Sequence, residues 1–265
     1  MIGWLLLLSL GGCSEAPATP GVETVAAEQG AGNPAPAVQR LTVKILRTLP
    51  HDPNAFTQGL LWHKGTLYES TGRYGVSSLR RVSTRTGEVE QQVALPPELF
   101  GEGLALVGDE LIQLTWLEGV ARRYRLADLA LVGQWSYGGE GWGLCWDGRR
   151  LVMTDGGDEL QIRDADEFTV VDRRRVTLLG RPLDRLNELE CAEGWVYANR
   201  LGSTTIYRID PQSGEVTATI DASALSPAEP QPEQVLNGIA YDPRTQHFYL
   251  TGKLWSNLYE VVFVP

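Results

Sequence analysis

The sequence contains few of the residues that build metal centres and disulfide scaffolds. Its 265 residues include three cysteines and three histidines, and there is no CxxC pair. His51, His63 and His247 lie far apart and lack the spacing of zinc ligands or of a Ser-His-Asp triad. Neither a zinc enzyme nor a triad hydrolase is supported. The chain is nevertheless long enough to bury one core without disulfides or metals.

Basic residues are also in deficit. The chain has 23 Lys and Arg against 33 Asp and Glu, which gives a formal net charge of -10. Such a surface repels phosphate backbones, so we expect no nucleic-acid partner. Neutral or cationic ligands, such as peptide amines, are favoured instead.

The apolar run at the N-terminus is too short to span a membrane. Residues 1–13 read MIGWLLLLSLGGC, whereas a span needs roughly 20 apolar residues. The run predicts an export signal, and its end, Leu10-Gly11-Gly12-Cys13, resembles a bacterial lipobox. We therefore expect an exported, periplasmic or outer-membrane-anchored lipoprotein that is lipidated at Cys13. A plain secretory signal with an incidental cysteine is the alternative.

A polar segment separates this signal from the folded domain. Residues 14–40 are rich in Ala, Pro, Gly and Glu without a periodic apolar pattern, which predicts a flexible linker. The domain is then residues 41–265. If Cys13 is lipidated, Cys145 and Cys191 remain either as a disulfide pair in an oxidising compartment or as two buried free thiols.

Amphipathic helical patterns are absent beyond Arg40, where short β-type runs alternate with Gly- and Asp-containing turns. This composition predicts an all-β domain. Five segments repeat a polar or aromatic residue, a small or acidic residue and an aliphatic one. They begin at Gln58, Glu102, Trp142, Asn187 and Asn237, at intervals of 44, 40, 45 and 50 residues.

Repeats of this length with four short strands are typical of β-propeller blades. The sequence predicts a five-bladed β-propeller of four-stranded blades. The fifth repeat ends one strand short, and the N-terminal run Leu41–Leu49 is predicted to supply that strand and close the ring. A six-bladed ring is the alternative, although residues 222–234 are better explained as a Pro-rich loop.

The five repeat starts are expected to gather at one mouth of the central channel, because equivalent positions in a propeller point the same way. Any one polar residue at such a position is more simply explained as a turn former. Five of them, with a carboxylate and a tryptophan included, favour a polar and aromatic pocket.

Eight strings extend this pattern: HDPNAFTQGL, FGEGL, LTW, EGWGLCWDG, VMTDG, LNELE, VLNGIAYD and TGKLW. In order and spacing they resemble those of the plant and bacterial glutamine cyclotransferases, from about Leu41 to the C-terminus. The resemblance implies a five-bladed propeller that converts the N-terminal glutamine of peptides or proteins to pyroglutamate with release of ammonia. It also implies that no metal or cofactor is needed. We expect a monomer that meets the membrane only through its lipid anchor.

The resemblance implies a catalytic set. Glu102 corresponds to the family's proton-transfer carboxylate, and Asn187 and Lys253 correspond to its partners. Cyclisation needs a neutral α-amine, a stabilised oxyanion and a protonated leaving ammonia. Glu102 would carry the proton while Lys253 and Asn187 donate to the oxyanion. This role requires burial to raise the pKa of Glu102 toward neutrality.

The resemblance also implies a substrate pocket. Its aromatic walls correspond to Phe56, Phe100, Trp116 and Trp142. Gln58 corresponds to a further partner of the carboxylate, and Gln58 and Asn237 are predicted to hold the peptide backbone or the carboxamide. One position departs from the family pattern: Leu201 stands where a tryptophan is usual, which removes one wall of the pocket.

Two other functions fit the same residues. In a calcium-dependent propeller lactonase or hydrolase, Glu102, Asn187, Asn237 and Asp155 would supply oxygen ligands. In a non-catalytic propeller, the cluster of Glu102, Lys253 and aromatic residues would only recognise peptides. Loss of activity on chelation favours the first, and absence of turnover favours the second.

Overall fold

The computed structural model describes residues 37–265. The predicted signal with Cys13 and most of the predicted linker lie outside the described residues. Residues 37–265 form 22 β-strands and one short 3-10 helix, Ser223–Leu225, and they contain no α-helix. The all-β prediction is confirmed. No helix in this part of the chain is long and apolar enough to cross a membrane.

The strands are short and follow one another closely. In chain order they are β1 Gln39–Pro50, β2 Thr57–His63, β3 Thr66–Thr71, β4 Ser78–Val82, β5 Val89–Ala94, β6 Gly101–Val107, β7 Glu110–Thr115, β8 Val120–Arg125, β9 Leu131–Ser136, β10 Leu144–Trp146, β11 Leu151–Met153, β12 Glu159–Arg163, β13 Val170–Arg175, β14 Thr177–Leu178, β15 Arg181–Pro182, β16 Leu186–Ala192, β17 Trp195–Arg200, β18 Thr205–Ile209, β19 Val216–Asp221, β20 Leu236–Asp242, β21 His247–Gly252 and β22 Asn257–Val264.

Within each group, strands that follow one another in the sequence pair antiparallel in the sheet. Strands β2–β5, β6–β9 and β10–β13 form three separate four-stranded sheets. An eight-stranded sheet has the order β16-β17-β18-β19-β1-β22-β21-β20. β14 pairs with β15, and its Thr177 also forms an isolated parallel bridge with Glu215. Residues 222–234, between β19 and β20, hold the 3-10 turn and no strand.

The first strand joins the two ends of the described chain. β1 pairs antiparallel with β22, from Thr42 opposite Val264 to Pro50 opposite Asn257. Its first four residues also pair in parallel with β19, beginning with Gln39 opposite Ala218. Because β1 lies between β22 and β19, neither strand has a free edge along these residues.

Five apolar clusters fill the spaces between successive groups of strands. One cluster contains Tyr68 and Leu79 of the first sheet with Leu104, Leu111 and Tyr124 of the second. The others join the second sheet to the third, the third to β16–β19, β16–β19 to β20–β22, and β20–β22 to the first sheet. Each large apolar side chain buried in this way contributes about 1.5–3 kcal/mol.

The first strands of the five groups are β2, β6, β10, β16 and β20, and we call them the inner strands. Each contacts the next in this order, and β20 contacts β2. The glycines of the sequence repeat lie at these contacts. A Cβ added to Gly59 would lie 2.7 Å from the backbone nitrogen of Leu104, and one on Gly103 would lie 2.5 Å from that of Leu144. The small second residue of the repeat therefore permits the inner strands to approach each other.

The fourth repeat has Glu188 where the other four have glycine. Its two carboxyl oxygens accept backbone hydrogen bonds from Leu60 at 3.1 Å and from Ile239 at 2.8 Å. Glu188 is fully buried, so these bonds satisfy donors that water cannot reach. The carboxyl group therefore ties β16 to β2 and β20.

Four inner strands carry a β-bulge at the first residue of the repeat. The register with the next strand shifts around Gln58 in β2, around Glu102 in β6, around Asn187 in β16 and around Asn237 in β20. A bulge places two residues opposite one and redirects a side chain that the pleat would otherwise point elsewhere. The bulges thus aim the polar residues that the sequence repeat identifies.

Cys145 and Cys191 form a disulfide, which decides between the two alternatives left by the sequence. Their Cα atoms are 5.4 Å apart, on β10 and β16, and the bond closes a loop with a sequence separation of 46. The bond links two inner strands that also contact each other through the apolar cluster between them.

We expect the disulfide to contribute substantially to stability. Loop-closure entropy for a separation of 46 corresponds to about 4 kcal/mol in the free energy of unfolding. Denaturant unfolding of the Cys145→Ala/Cys191→Ala double variant should show this loss. Dithiothreitol should lower the midpoint of the wild type and leave that of the double variant unchanged. Equal stability of the two proteins under oxidising conditions would contradict the expectation.

Candidate active site

A pocket with a volume of about 170 Å³ lies beside the bulges of the inner strands. Seven of the nine side chains predicted for the site line it, together with Leu201. The lining residues are Gln58, Phe100, Glu102, Trp116, Trp142, Asn187, Leu201 and Lys253. Phe56 and Asn237 lie behind this lining. The structure therefore brings together residues from all five groups of strands.

Glu102 is the buried acid of the pocket, and 5% of its surface is exposed. Its Oε1 accepts a hydrogen bond from Gln58 Nε2 at 2.9 Å. Asn237 Nδ2 in turn donates to Gln58 Oε1 at 3.2 Å and to the carbonyl oxygen of Thr57 at 3.0 Å. This chain fixes the amide of Gln58 with its nitrogen toward the acid.

The Gln58–Asn237 chain gives Asn237 a positioning contact, and its role in holding the peptide backbone or the carboxamide stays a prediction. Both hydrogens of the Asn237 side-chain amide are used by Gln58 and Thr57. Asn237 therefore positions Gln58, and Gln58 positions Glu102. The reason is the bulge in β20, which places Asn237 beside β2 and outside the pocket lining.

Burial raises the pKa of the Glu102 carboxyl well above its ordinary value. The Lys253 ammonium opposes this shift, while the carboxylates of Glu118 and Glu140 add to it. Burial lowers the pKa of Lys253, and Glu102 and Glu233 act in the opposite direction. Both groups are therefore displaced toward neutral pH, where they can gain or lose a proton.

Lys253 is held beneath an aromatic ring. Its side chain is 6% exposed, and its Nζ lies 4.8 Å from the centre of the Phe56 ring. The Arg73 guanidinium also lies over the Phe56 ring, 4.7 Å from its centroid. Phe56 therefore positions Lys253 without lining the pocket itself.

The aromatic walls form a connected series. Phe100 contacts Phe56, Tyr74 and Trp116 edge to face, with ring centroids 6.3, 5.3 and 5.6 Å apart. Trp142 also lines the pocket and lies against Gly156, where an added Cβ would be 2.7 Å from the indole ring. Gly156 has a φ of +83°, so the turn and the close contact both require glycine.

Glu140 fixes two of these walls and was missed by the sequence analysis. Its Oε2 accepts hydrogen bonds from Trp116 Nε1 at 2.7 Å and from Trp142 Nε1 at 2.9 Å. The residue lies in the EGWGL string, two positions before Trp142. The sequence did contain a signal for Glu140. Its carboxylate lies beside one predicted tryptophan wall, in a domain that has a second one.

Glu118 is a second acidic residue beside the pocket that the sequence analysis missed. Its carboxyl group accepts hydrogen bonds from Tyr74 Oη at 2.8 Å and from the Phe100 backbone nitrogen at 3.3 Å. It therefore supports the Phe100 wall and adds negative charge near Glu102.

Asn187 and Leu201 complete the lining. The Asn187 carbonyl oxygen accepts a bond from Thr154 Oγ1 at 2.8 Å, which fixes the backbone at the bulge. Its side-chain Oδ1 is buried without a partner among residues 37–265. Leu201 lies at the predicted wall position and offers only aliphatic surface there.

Asp155 lies apart from the other oxygen ligands proposed for a calcium site, because Glu102 and Asn187 line the pocket and Asp155 does not. The two carboxyl oxygens of Asp155 are engaged elsewhere. They accept hydrogen bonds from Gly157 N at 3.0 Å and from Gln161 Nε2 at 2.9 Å. Within residues 37–265, no group of three or more His, Cys, Asp or Glu side chains is arranged to hold a metal ion. The calcium-dependent alternative is therefore not favoured.

An all-β fold with a buried acid, an amine and aromatic walls in one pocket defines a class of protein whose site is suited to proton transfer on a small polar ligand. A profile of the family described as glutamine cyclotransferase matches residues 17–263. The glutaminyl-peptide cyclotransferase of Arabidopsis thaliana is 41% identical over 225 residues, which cover 83% of this chain and 70% of that protein. This chain belongs to the glutamine cyclotransferase family.

A solved structure agrees with this assignment. The crystal structure of Myxococcus xanthus glutaminyl cyclase matches with a TM-score of 0.82 and 41% sequence identity. The match covers 86% of this chain and 98% of that chain. The resemblance stated from the sequence strings is confirmed.

Proposed function

We propose that this protein is a glutaminyl-peptide cyclotransferase, an aminoacyltransferase that converts the N-terminal glutamine of peptides or proteins to pyroglutamate. The observation that carries the proposal is Glu102, buried among aromatic walls, held by Gln58 and close enough to Lys253 for their charges to interact. Family membership supports the same activity.

The reaction exchanges one carbon–nitrogen bond for another. The α-amine of the substrate attacks its own γ-carbonyl carbon, and the bond from that carbon to the amide nitrogen breaks. The Glu102 carboxylate accepts a proton from the α-amine and returns it to the leaving nitrogen. Ammonia then departs, and the carboxylate is regenerated. A raised pKa suits Glu102 to both transfers.

Lys253 and Asn187 serve the oxyanion in this proposal. Both side chains line the pocket, and the Lys253 ammonium interacts electrostatically with Glu102. A donor fixed before the reaction lowers the energy of the developing negative charge without reorganisation. Asn187 would donate through its side-chain amide nitrogen.

The aromatic walls hold the substrate side chain in the folded conformation that cyclisation needs. Phe100, Trp116 and Trp142 line a pocket of about 170 Å³. This volume is smaller than that of pockets for drug-sized ligands and suits a single side chain. Enclosure limits the access of water, which would otherwise hydrolyse the amide. Leu201 leaves the pocket one aromatic wall short of the family pattern.

Ammonia release from a Gln-initiated dipeptide tests the proposal directly. The purified protein should release ammonia with and without EDTA, at rates that depend on an N-terminal glutamine. An Asn-initiated dipeptide is the matched control, because its shorter side chain cannot form the five-membered lactam. Absence of turnover by folded protein would contradict the proposal and favour a peptide-binding role.

We propose that the five groups of strands are the blades of a five-bladed β-propeller. The cyclic contacts of the inner strands and the five interleaved apolar clusters support this reading. β1 would then be the outer strand of the blade β20–β22 and close the ring, and its short parallel bridge to β19 would join two blades.

The location of the protein is also a proposal. We propose export and lipidation at Cys13, with a flexible linker to the domain and a monomer as the working unit. The disulfide between Cys145 and Cys191 supports an oxidising compartment. Metabolic labelling with a fatty-acid analogue, compared between wild type and Cys13→Ser, tests the anchor.

Loss of Glu140 should weaken substrate binding more than turnover. In Glu140→Ala both indole N–H groups lose their acceptor, so we expect a KM about tenfold higher, which is about 1.4 kcal/mol, with a smaller change in kcat. In Glu140→Gln the negative charge that raises the pKa of Glu102 disappears. The acidic limb of the kcat/KM profile should therefore move to lower pH.

Glu118→Gln is the matched control for Glu140. The Glu118 carboxylate also raises the pKa of Glu102, and its hydrogen bonds come from Tyr74 and Phe100 instead of the two indoles. The substitution therefore removes the charge and leaves the shared acceptor in place. We expect the acidic limb to move in the same direction while KM stays near the wild-type value. An unchanged KM in Glu140→Ala would show that the shared acceptor does not position the walls.

A further inference from the structure

A second pocket lies at the opposite ends of the inner strands. Its volume is about 350 Å³, and we call it the distal pocket. β2, β6, β10, β16 and β20 all contribute to it through residues that follow their candidate active-site residues. The lining residues are Leu61, Trp62, Leu104, Ala105, Leu106, Cys145, Trp146, Glu190, Cys191, Ala192, Glu193, Tyr241 and Pro243. None of them lines the candidate active site.

The lining of the distal pocket has one sign of charge. It combines the carboxyl groups of Glu190 and Glu193 with the aromatic rings of Trp62, Trp146 and Tyr241. The described residues contribute no lysine, arginine or histidine to it. Aliphatic side chains and the disulfide form the remainder. Carboxylates with aromatic rings and without basic groups favour a cationic ligand.

Glu190 is the carboxyl group of the distal pocket that has no side-chain partner among the described residues. Glu188, two residues earlier on the same strand, uses both carboxyl oxygens to bind backbone N–H groups. Within residues 37–265 the Glu190 side chain forms no ion pair, and its hydrogen-bond donor is the backbone N–H of Cys191. Most of the side chain is nevertheless removed from water. Burial raises the pKa of Glu190 well above its ordinary value. A carboxylate that is largely removed from water and has no counter-ion is costly unless a ligand supplies the opposite charge.

Glu193 differs from Glu190 because side chains of the described residues occupy one of its carboxyl oxygens. Its Oε1 accepts bonds from Tyr241 Oη at 2.7 Å and Gln246 Nε2 at 3.2 Å. A primary ammonium brings three N–H donors that need acceptors, and the aromatic and aliphatic part of the lining offers none. A methylated ammonium has no such donors to leave unsatisfied, and aromatic rings bind it well.

We propose that the distal pocket binds a small organic cation with a methylated ammonium group, with Glu190 as the counter-ion and Trp62 and Trp146 as aromatic walls. Such a site is separate from the cyclisation reaction and does not depend on it. A ligand there would touch the same inner strands that carry the candidate active-site residues at their other ends.

Binding of choline chloride, measured by calorimetry, tests the proposal. The matched control is 3,3-dimethylbutan-1-ol, which has the shape of choline without its charge. We expect choline to bind at least about tenfold more tightly than the neutral alcohol. Glu190→Gln should lose that tenfold preference, and its isosteric side chain should leave the fold and the cyclisation rate unchanged.

Two further variants locate the cation. Trp146→Leu should weaken choline binding about fivefold while it leaves the Glu190 carboxyl in place. Glu102→Gln should bind choline as tightly as the wild type does, because Glu102 belongs to the other pocket. Equal binding of choline and the alcohol, no binding of choline, or loss of binding in Glu102→Gln would each overturn the proposal.

Discussion

Replacement of Glu102 with glutamine is expected to lower kcat/KM for a Gln-initiated dipeptide by about 10³-fold, the range of a lost general acid–base group. The glutamine side chain has the same shape and can still accept the bond from Gln58 Nε2. It cannot accept the proton of the attacking amine. Chemistry should therefore fail while the pocket stays assembled.

The pH profile distinguishes this loss from a structural effect. In the wild type, kcat/KM should fall as the pH drops through the raised pKa of Glu102, because the protonated acid cannot serve as base. The residual activity of Glu102→Gln should lack that limb. Glu98→Gln, an exposed carboxyl group on the loop before β6, is the matched control and should keep full activity. A Glu102→Gln variant with near wild-type kcat/KM would contradict the assigned role.

Replacement of Glu188 with alanine is expected to cause the largest loss of stability among single substitutions at the inner strands, about 3–5 kcal/mol in the free energy of unfolding. Two buried backbone N–H groups, of Leu60 and Ile239, lose their acceptor, and a cavity remains. Glu188→Gln should cost less, about 1–3 kcal/mol, because the amide oxygen still accepts one of the two bonds.

The cost of Glu188→Gln should depend on pH in a defined direction. Burial raises the pKa of Glu188 well above its ordinary value of 4.5, although the two backbone donors oppose the shift. A raised pKa means that the folded protein binds the proton more tightly than the unfolded chain does. The stability that Glu188 contributes is therefore highest below pH 4.5 and falls as the pH rises. Glutamine does not titrate. The difference in the free energy of unfolding between the wild type and Glu188→Gln should therefore shrink from pH 4 to pH 7.

Denaturant unfolding at several pH values measures both effects. Glu215→Ala, at an exposed position before β19, is the control and should change the free energy of unfolding by less than about 0.5 kcal/mol. A cost for Glu188→Ala as small as that of Glu215→Ala would show that the two backbone bonds do not hold the inner strands together.

The sequence predicted the positions of the active-site side chains better than their contacts. The spacing of Gln58, Glu102 and Asn187 predicted a common pocket because the repeat places each of them at the same point of an inner strand. The structure adds that these points are β-bulges. Bulges depend on pairing with the next strand, and the period of the apolar residues does not record them.

The supporting contacts could not be predicted, because they join residues that only the folded chain brings together. The bond between Asn237 and Gln58 spans 179 residues, and the acceptor shared by two indoles depends on the side-chain conformation of Glu140. The choice between a disulfide and free thiols at Cys145 and Cys191 likewise required the distance between β10 and β16.

The β-bulges of the inner strands have a consequence for enzyme engineering. Gln58, Glu102, Asn187 and Asn237 lie at positions that the regular ladder leaves out, so neighbouring residue pairs keep their register whatever side chain stands there. New functional groups could be grafted at these four positions while the apolar clusters between sheets remain as they are. The scaffold therefore separates the choice of chemistry from the choice of fold.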